Sequence, residues 1–324
     1  MADDLQMLEV ETPHCGKLKV YVQGPLAEKQ GKTIFMTIHD MGTNHRSFVT
    51  FVNDPAMAEV KTRSIFLHVC APGQEDDAAA WEGAGYPTLQ LMGEDLVKVL
   101  EHVDVKSCIV IGDGAGANIA YRFTLAHPNS VMGVALIHCT STTAGVLETL
   151  KDKVINWQMS GGTLSQAAHE YLVFHKFGPG QGEKKEHVAH FVQDLQKRLN
   201  ITNLSKYLES FQQRTSLSAD TAANVNVDSL LVVGSKASHI HTVYTMHKAM
   251  PKDKSQLLVI DGVGDVLTEA PDRFTRALIL FCKGSGVLSG VGIPGMERQR
   301  TLSSSMEEAD RPRKASLTGS PLKS

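Results

Sequence analysis

Apolar residues in this chain fall into two alternating patterns: short continuous runs, and longer stretches that repeat about every 3.6 residues. Residues Leu5 to Glu11 and Lys17 to Gln23 alternate apolar with polar positions, predicting a β-hairpin with one solvated face. Thr33 to His39, Ser64 to Val69, Cys108 to Ile111 and Val131 to Ile137 are nearly continuous apolar runs, as strands buried on both faces require, and Ser229 to Gly234 and Ser255 to Ile260 resume the strand rhythm later in the chain. Between them, Leu91, Leu96, Val99, Leu100 and Val103 recur at helical spacing within Leu89 to Val103, and Ala115 to Ala126 has a helical period. A closing helix runs from Pro271 to Cys282, with proline in the first turn, where its missing N–H costs nothing. Strands alternating with helices predict a mostly parallel central sheet with helices on both faces, an α/β fold.

The rhythm breaks once. From Gly145 to about Ser216 strand signals stop and helical, polar text takes over, at Leu147 to Met159, Leu164 to Phe174, Glu186 to Leu199 and Thr202 to Arg214. The expected organisation is a core of residues 1–144 and 217–284, a helical cap insertion of 145–216, and a tail of 285–324. The tail is rich in Ser, Arg, Lys, Gly and Pro and is expected to be disordered, because it offers too little apolar surface to offset chain entropy.

The central apolar run, Cys108 to Ile111, feeds Gly112-Asp113-Gly114-Ala115-Gly116 and then a helix. Strand, sharp turn and helix form the nucleophile elbow of α/β-hydrolases, where G-x-S-x-G lifts a serine hydroxyl above the sheet. Here Gly114 takes the serine position. Such an enzyme also needs an acid after a later strand and a histidine before the last helix. After Ser229 to Gly234 the residue is Ser235, and in the turn Asp261 to Asp265 the histidine position falls on Asp265. All three turns are present, and all three chemical groups are replaced.

Other chemistry is weaker. Gly114 and Gly116 are most simply explained by backbone conformation and close helix packing. Asp113 beside a helix N-terminus is stabilised as an anion, which also makes the turn a poor phosphate cradle. No nucleotide or other cofactor is expected. In the insertion, His187 and His190 share a helix face near Glu183 and Glu186, and His169 and His175 lie upstream, but no third ligand has a diagnostic spacing, so a solvated face is expected rather than a metal site. His239 and His241 stand beside the lost acid position as the available candidates for an improvised base.

Composition narrows the class. The 324 residues carry a formal net charge of −3, which excludes a global affinity for nucleic acid. Five scattered cysteines, mostly inside apolar runs, fit buried free thiols in a reducing compartment. The acidic start shows no secretory signal, and no apolar run approaches the roughly 18 residues of a membrane span. A cytoplasmic location, with peripheral membrane association, is expected. In the tail, Arg298 and Arg300 precede Ser303, and Arg311 and Arg313 precede Ser316, each in the R-x-R-x-x-S form that basophilic kinases use. Phosphorylation would add about −1.5 to −2 charges per site.

Asp40 in the His-Asp-Met-Gly loop, Ala71 to Ala78, the serine-less elbow Gly112 to Ala117, and Ser229 to Gly234 together carry a resemblance to the N-myc downstream-regulated (NDRG) family, over nearly the whole chain. The resemblance implies an α/β-hydrolase fold with a helical cap and no hydrolase activity. It also implies partner contacts in signalling, stress response, differentiation and trafficking, with proteins, membrane lipids or trafficking machinery as partners and basophilic kinases acting on the tail.

Two functions compete on this basis: a non-catalytic scaffold, or a small-molecule-binding protein or hydrolase with a non-standard site in the cap/core cleft. The second requires Asp40, Met41, Asp113, Gly114, Ala115, His239 and Asp265 to border an open pocket, with acids and histidine in hydrogen-bond reach. Bulky side chains filling that space would favour the first.

Overall fold

A computed structural model describes residues 5–83, 85–143, 163–180, 185–217 and 225–295. Its centre is an eight-stranded sheet in the order β1-β2-β4-β3-β5-β6-β7-β8. The strands are β1 (Gln6–Thr12), β2 (Gly16–Gln23), β3 (Thr33–Ile38), β4 (Ser64–Val69), β5 (Cys108–Asp113), β6 (Val131–Ile137), β7 (Ser229–Gly234) and β8 (Ser255–Ile260). The β1–β2 and β2–β4 pairs are antiparallel and the others parallel.

Alternate residues of a strand face opposite sides of the sheet, so a strand covered on both sides needs apolar residues throughout. Val110, Met36 and Leu231 join one core with Tyr121 and Phe123 of α5 (Ala115–Ala126). Their neighbours Ile109, Ile111, Phe35 and Val232 join a second core on the other face. There they meet Phe48 and Phe51 of α1 (His45–Val52), and Phe274 and Leu278 of the last helix (Pro271–Gly284). The mostly parallel sheet with helices on both faces is therefore present.

Elsewhere the structure departs from the sequence pattern. The single helix expected over Leu89 to Val103 is two, α3 (Leu89–Asp95) and α4 (Val97–His102). Buried Asp95 accepts backbone N–H bonds from His14 and Cys15, each at 2.8 Å, which ties the end of α3 to the β1–β2 link. Short α2 (Ala58–Thr62), together with α1 and α9 (Ile240–Ala249), had no distinct signal.

Between β6 and β7 lie α6 (Gln166–Phe177), α7 (Lys185–Arg198) and α8 (Ile201–Gln212). Ser165 caps α6 and Asn200 caps α8, each accepting backbone N–H bonds of the first turn. After β8 come α10 (Val266–Glu269) and α11 (Pro271–Gly284). The expected helix Leu147 to Met159, and Ser303 and Ser316, lie outside the described residues.

The expectation of disorder from residue 285 onward is corrected for residues 285–295. Leu288 and Val291 are buried in the second core, and Gly292 N donates to Glu59 Oε2 at 2.8 Å. The glycines around them masked a small apolar repeat that packs on the sheet. All five cysteines are buried and free. Among the described residues no helix is long and apolar enough to cross a membrane.

Candidate functional site: a filled elbow

Strand β5 ends in Asp113, Gly114 turns with φ +54° and ψ −115°, and α5 starts at Ala115. That left-handed turn strains any residue with a Cβ, and glycine removes the strain. Gly116 answers a different demand, since a Cβ there would lie 2.2 Å from the Ile38 carbonyl oxygen. The helix can pack this close to β3 only without a side chain at that point.

The space above the apex belongs to Asp40, which follows β3 directly. Asp40 Oδ1 accepts hydrogen bonds from the backbone N–H groups of Met41 and Ala115, both at 2.8 Å. In a hydrolase, the N–H after the nucleophile and one from the loop after β3 hold the developing oxyanion. Here those two donors hold a carboxylate of the protein's own chain. A Cβ on Gly114 would lie 2.0 Å from Asp40 Oδ1, so the same carboxylate also excludes a nucleophile side chain. His39 fixes the loop: its Nδ1 donates to the Asp40 carbonyl at 2.8 Å and its Nε2 accepts from Ala71 N at 3.0 Å. Burial pushes His39 down to about 4, consistent with a neutral ring.

The cap supplies the cations. His175 and Lys176 end α6, and their successive positions aim the two side chains at different acids. His175 Nε2 lies 3.0 Å from Asp40 Oδ2. Lys176 Nζ donates to Asp113 Oδ2 at 2.7 Å and sits 3.0 Å from Asp265 Oδ1, an ion-pair contact without hydrogen-bond alignment. All five groups are buried. Burial opposes ionisation of Asp40, but the His175 charge and hydrogen bond outweigh it and hold the carboxyl below its ordinary range. His175 is raised for the reciprocal reason: burial lowers it, and Asp40 more than compensates. Asp113 is held far down, against burial, by the Lys176 charge and the His138 hydrogen bond. Lys176 is held well up, against burial, by Asp113, Asp265 and Asp40.

His138, just after β6, was not anticipated. Its backbone has φ +50°, uncommon for a side-chain-bearing residue. Gly234 N donates to its Nε2 at 3.4 Å, which assigns the ring proton to Nδ1, 3.3 Å from Asp113 Oδ1. Asp113, His138 and Asp265 together present three ligand atoms within 4.8 Å of one another. The Lys176 ammonium stands against both carboxylates of that trio, so a metal ion would have to displace a tethered cation.

The positions expected at the site separate into two groups. Asp40, Met41, Asp113, Gly114, Ala115 and Asp265 converge at the elbow. Ser235 does not: its hydroxyl donates to Asp261 Oδ1 at 3.0 Å and accepts from Gly262 N at 2.8 Å, joining the ends of β7 and β8. The His239 ring lies 6.0 Å from the His175 ring, tilted by 48°, and borders, with Asp40 and Lys176, a cavity of only about 10 Å³, near the minimum for one water. His241 is exposed on α9, and His187 and His190 are exposed on α7. Bulky cap side chains thus fill the space that an open pocket would need. His175 was visible in the sequence only as one histidine of several, and Lys176 had no signal, since nothing local marks which cap residues reach the core.

The sheet order, the elbow turn and the cap between β6 and β7 define an α/β-hydrolase-fold protein whose elbow is occupied by its own side chains. Solved structures agree on the fold. A thermophilic esterase from Thermogutta terrifontis superposes with a TM-score of 0.72 at 14% identity, over 86% of this chain and 99% of that one. A hydrolase from Pseudomonas aeruginosa gives 0.66 at 15%, over 87% and 99%. The chain belongs to the Ndr family, whose model matches residues 8–289. An uncharacterized protein of Caenorhabditis elegans is 57% identical over 317 residues, 98% of this chain and 96% of that one. Protein NDRG2 of Xenopus laevis is 29% identical over 308 residues, covering 93% and 83%.

Proposed function

We propose that this Ndr-family chain is a non-catalytic scaffold or adaptor built on a hydrolase frame. It works in cytoplasmic signalling linked to stress response, differentiation or trafficking, through surface contacts with proteins and with membrane lipids or trafficking machinery. Basophilic kinases regulate it at Ser303 and Ser316.

One observation carries the non-catalytic part: the Asp40 carboxylate takes both oxyanion-binding N–H groups and the volume of a side chain at position 114. An incoming ester carbonyl would meet a negative charge where its own negative charge must develop, which raises rather than lowers the barrier. Asp265 and Lys176, locked in an ion pair, offer no free base.

The test is hydrolysis of p-nitrophenyl esters of two to eight carbons by purified protein. The expected rate equals the buffer rate. Turnover that disappears in Asp40→Asn or Asp113→Asn would overturn the proposal. The adaptor role is tested by cross-linking and capture with wild type against Ser303→Ala/Ser316→Ala, where partner recovery is expected to change with kinase treatment in wild type only.

A further inference from the structure

Beside the sealed elbow, and on its own footing from the scaffold reading, lies a second cavity of about 350 Å³. It is a half-open cleft bounded by α1 of the core, α7 of the cap and the turn from α10 into α11. Its volume equals about a dozen water-sized volumes, room for a compact organic molecule of roughly ten to twelve heavy atoms. The wall is apolar and largely aromatic, with Phe51, Phe177, Phe191, Leu199 and Leu267 contributing. The body of an occupant is therefore hydrocarbon, with an aryl group well suited to three phenylalanines.

The polar lining selects the head group. The hydroxyls of Thr43, Ser47 and Thr268 all donate within the protein, to the Asp40 carbonyl, the Asn44 carbonyl and the Asp265 carboxylate. The two lining carboxylates are also engaged: Asp54 accepts from Ala56 N at 2.8 Å and Asp194 accepts from Arg198 Nε at 2.8 Å. Two half-exposed guanidinium groups, Arg46 and Arg198, stand at the rim. Arg46 uses Nε and Nη2 on Asp76, and Arg198 uses Nε on Asp194 with Nη1 3.8 Å from Asp76 Oδ2, out of five N–H donors on each fork. His187 and His190 also lie on the lining, with His190 Nδ1 3.4 Å from Asp194 Oδ2, which leaves the remaining guanidinium N–H groups as the charged donors at the rim. Planar guanidinium forks match a carboxylate better than any other small head group.

We propose that this cavity binds a small amphipathic monocarboxylic acid, an arylalkanoate or a medium-chain fatty acid, with its hydrocarbon among the phenylalanines and its carboxylate at Arg46 and Arg198. The ligand bridges core helix α1 and cap helix α7, so its binding reports on how the cap is seated.

The experiment is calorimetric titration of the full chain with 4-phenylbutyrate, beside the matched alcohol 4-phenylbutan-1-ol and the amine 4-phenylbutylamine. Phenylbutyrate is expected to bind saturably, with a dissociation constant of about 1 mM or tighter, and to raise the melting temperature. The alcohol and the amine are expected to bind at least tenfold more weakly. Ser47→Phe, which fills the cavity from α1, should abolish binding. Thr50→Trp, at an exposed position on the same helix, serves the same purpose if the first variant does not fold. Arg198→Gln should reduce phenylbutyrate affinity without changing that of the alcohol. Absence of saturable binding, equal binding of the amine or alcohol, or unchanged binding in the filled variants would each overturn the proposal.

Discussion

Asp40 and Gly114 depend on each other at the scale of single residues. With φ +54° at Gly114 and only 2.0 Å between a would-be Cβ and Asp40 Oδ1, Gly114→Ser meets both backbone strain and a steric clash. It should cost about 2–4 kcal/mol in urea unfolding and produce no esterase. Gly114→Ser/Asp40→Gly should recover the clash portion of that loss. A Gly114→Ser single variant as stable as wild type would contradict the packing described. Lys176 sits in the other half of the cluster. Lys176→Met leaves Asp113 and Asp265 buried without their cation and should cost about 3–5 kcal/mol, partly recovered by adding Asp113→Asn and Asp265→Asn. Urea midpoints with constant m-values would check both statements.

The His175–Asp40 pair has a definite pH signature. A histidine raised above 6.5 contributes stability in full below 6.5 and loses it as pH climbs through the raised value. A carboxyl lowered from 3.8 contributes above 3.8 and loses it as pH falls. The pair therefore stabilises most between these ordinary values. The stability gap between wild type and His175→Gln should be widest near pH 5–6 and narrow toward pH 9; a gap that widens at alkaline pH would refute the assignment.

Elements, rather than residues, decide whether the cap and the C-terminal segment belong to the core. Gly178, one residue past α6, has φ +71°, and a Cβ there would lie 1.9 Å from the Lys236 carbonyl oxygen. Together with the Ser238 hydroxyl donating to the His175 carbonyl at 3.0 Å, this pins the end of α6 to the loop after β7. The C-terminal segment is likewise structural through residue 295. Truncation after Gly284 uncovers the sheet face under Leu288 and Val291 and should cost about 2–5 kcal/mol, measurable by urea unfolding. Strands were legible because double-sided burial imposes a continuous apolar run, and β4, β6 and β7 begin and end where that run does; edge strand β8 keeps the run although its middle is only partly buried. Helices α1 and α9 were not, because eight to ten residues give too few turns for their apolar period to stand out from the loops beside them.

For the whole molecule, pH dependence is dominated on the acid side by buried neutral histidines. Burial lowers His39 and His45 to about 4 and His68 to about 3. A buried histidine so lowered binds fewer protons folded than unfolded between its folded value and 6.5, so its contribution is complete above 6.5 and lost as pH falls. Stability should therefore drop steadily from pH 7 to pH 4, and His68→Gln should flatten that slope. A slope unchanged in the variant would mean His68 titrates normally.

The elbow turn with Gly114 at its apex and the α/β fold were written in the sequence, since turn glycines and strand runs are local demands on neighbouring residues. The Ndr family was legible for the same reason: its motifs are contiguous. What fills the elbow was not. Asp40, Asp113 and Asp265 arrive from three strand ends, His138 from a fourth, and His175 and Lys176 from an insertion whose docking no local pattern encodes. Only the closed tertiary structure brings these charges within 3.3 Å of their partners. Burial then decides the outcome, because acids that would be ordinary surface residues in an open loop must find cations once water is excluded.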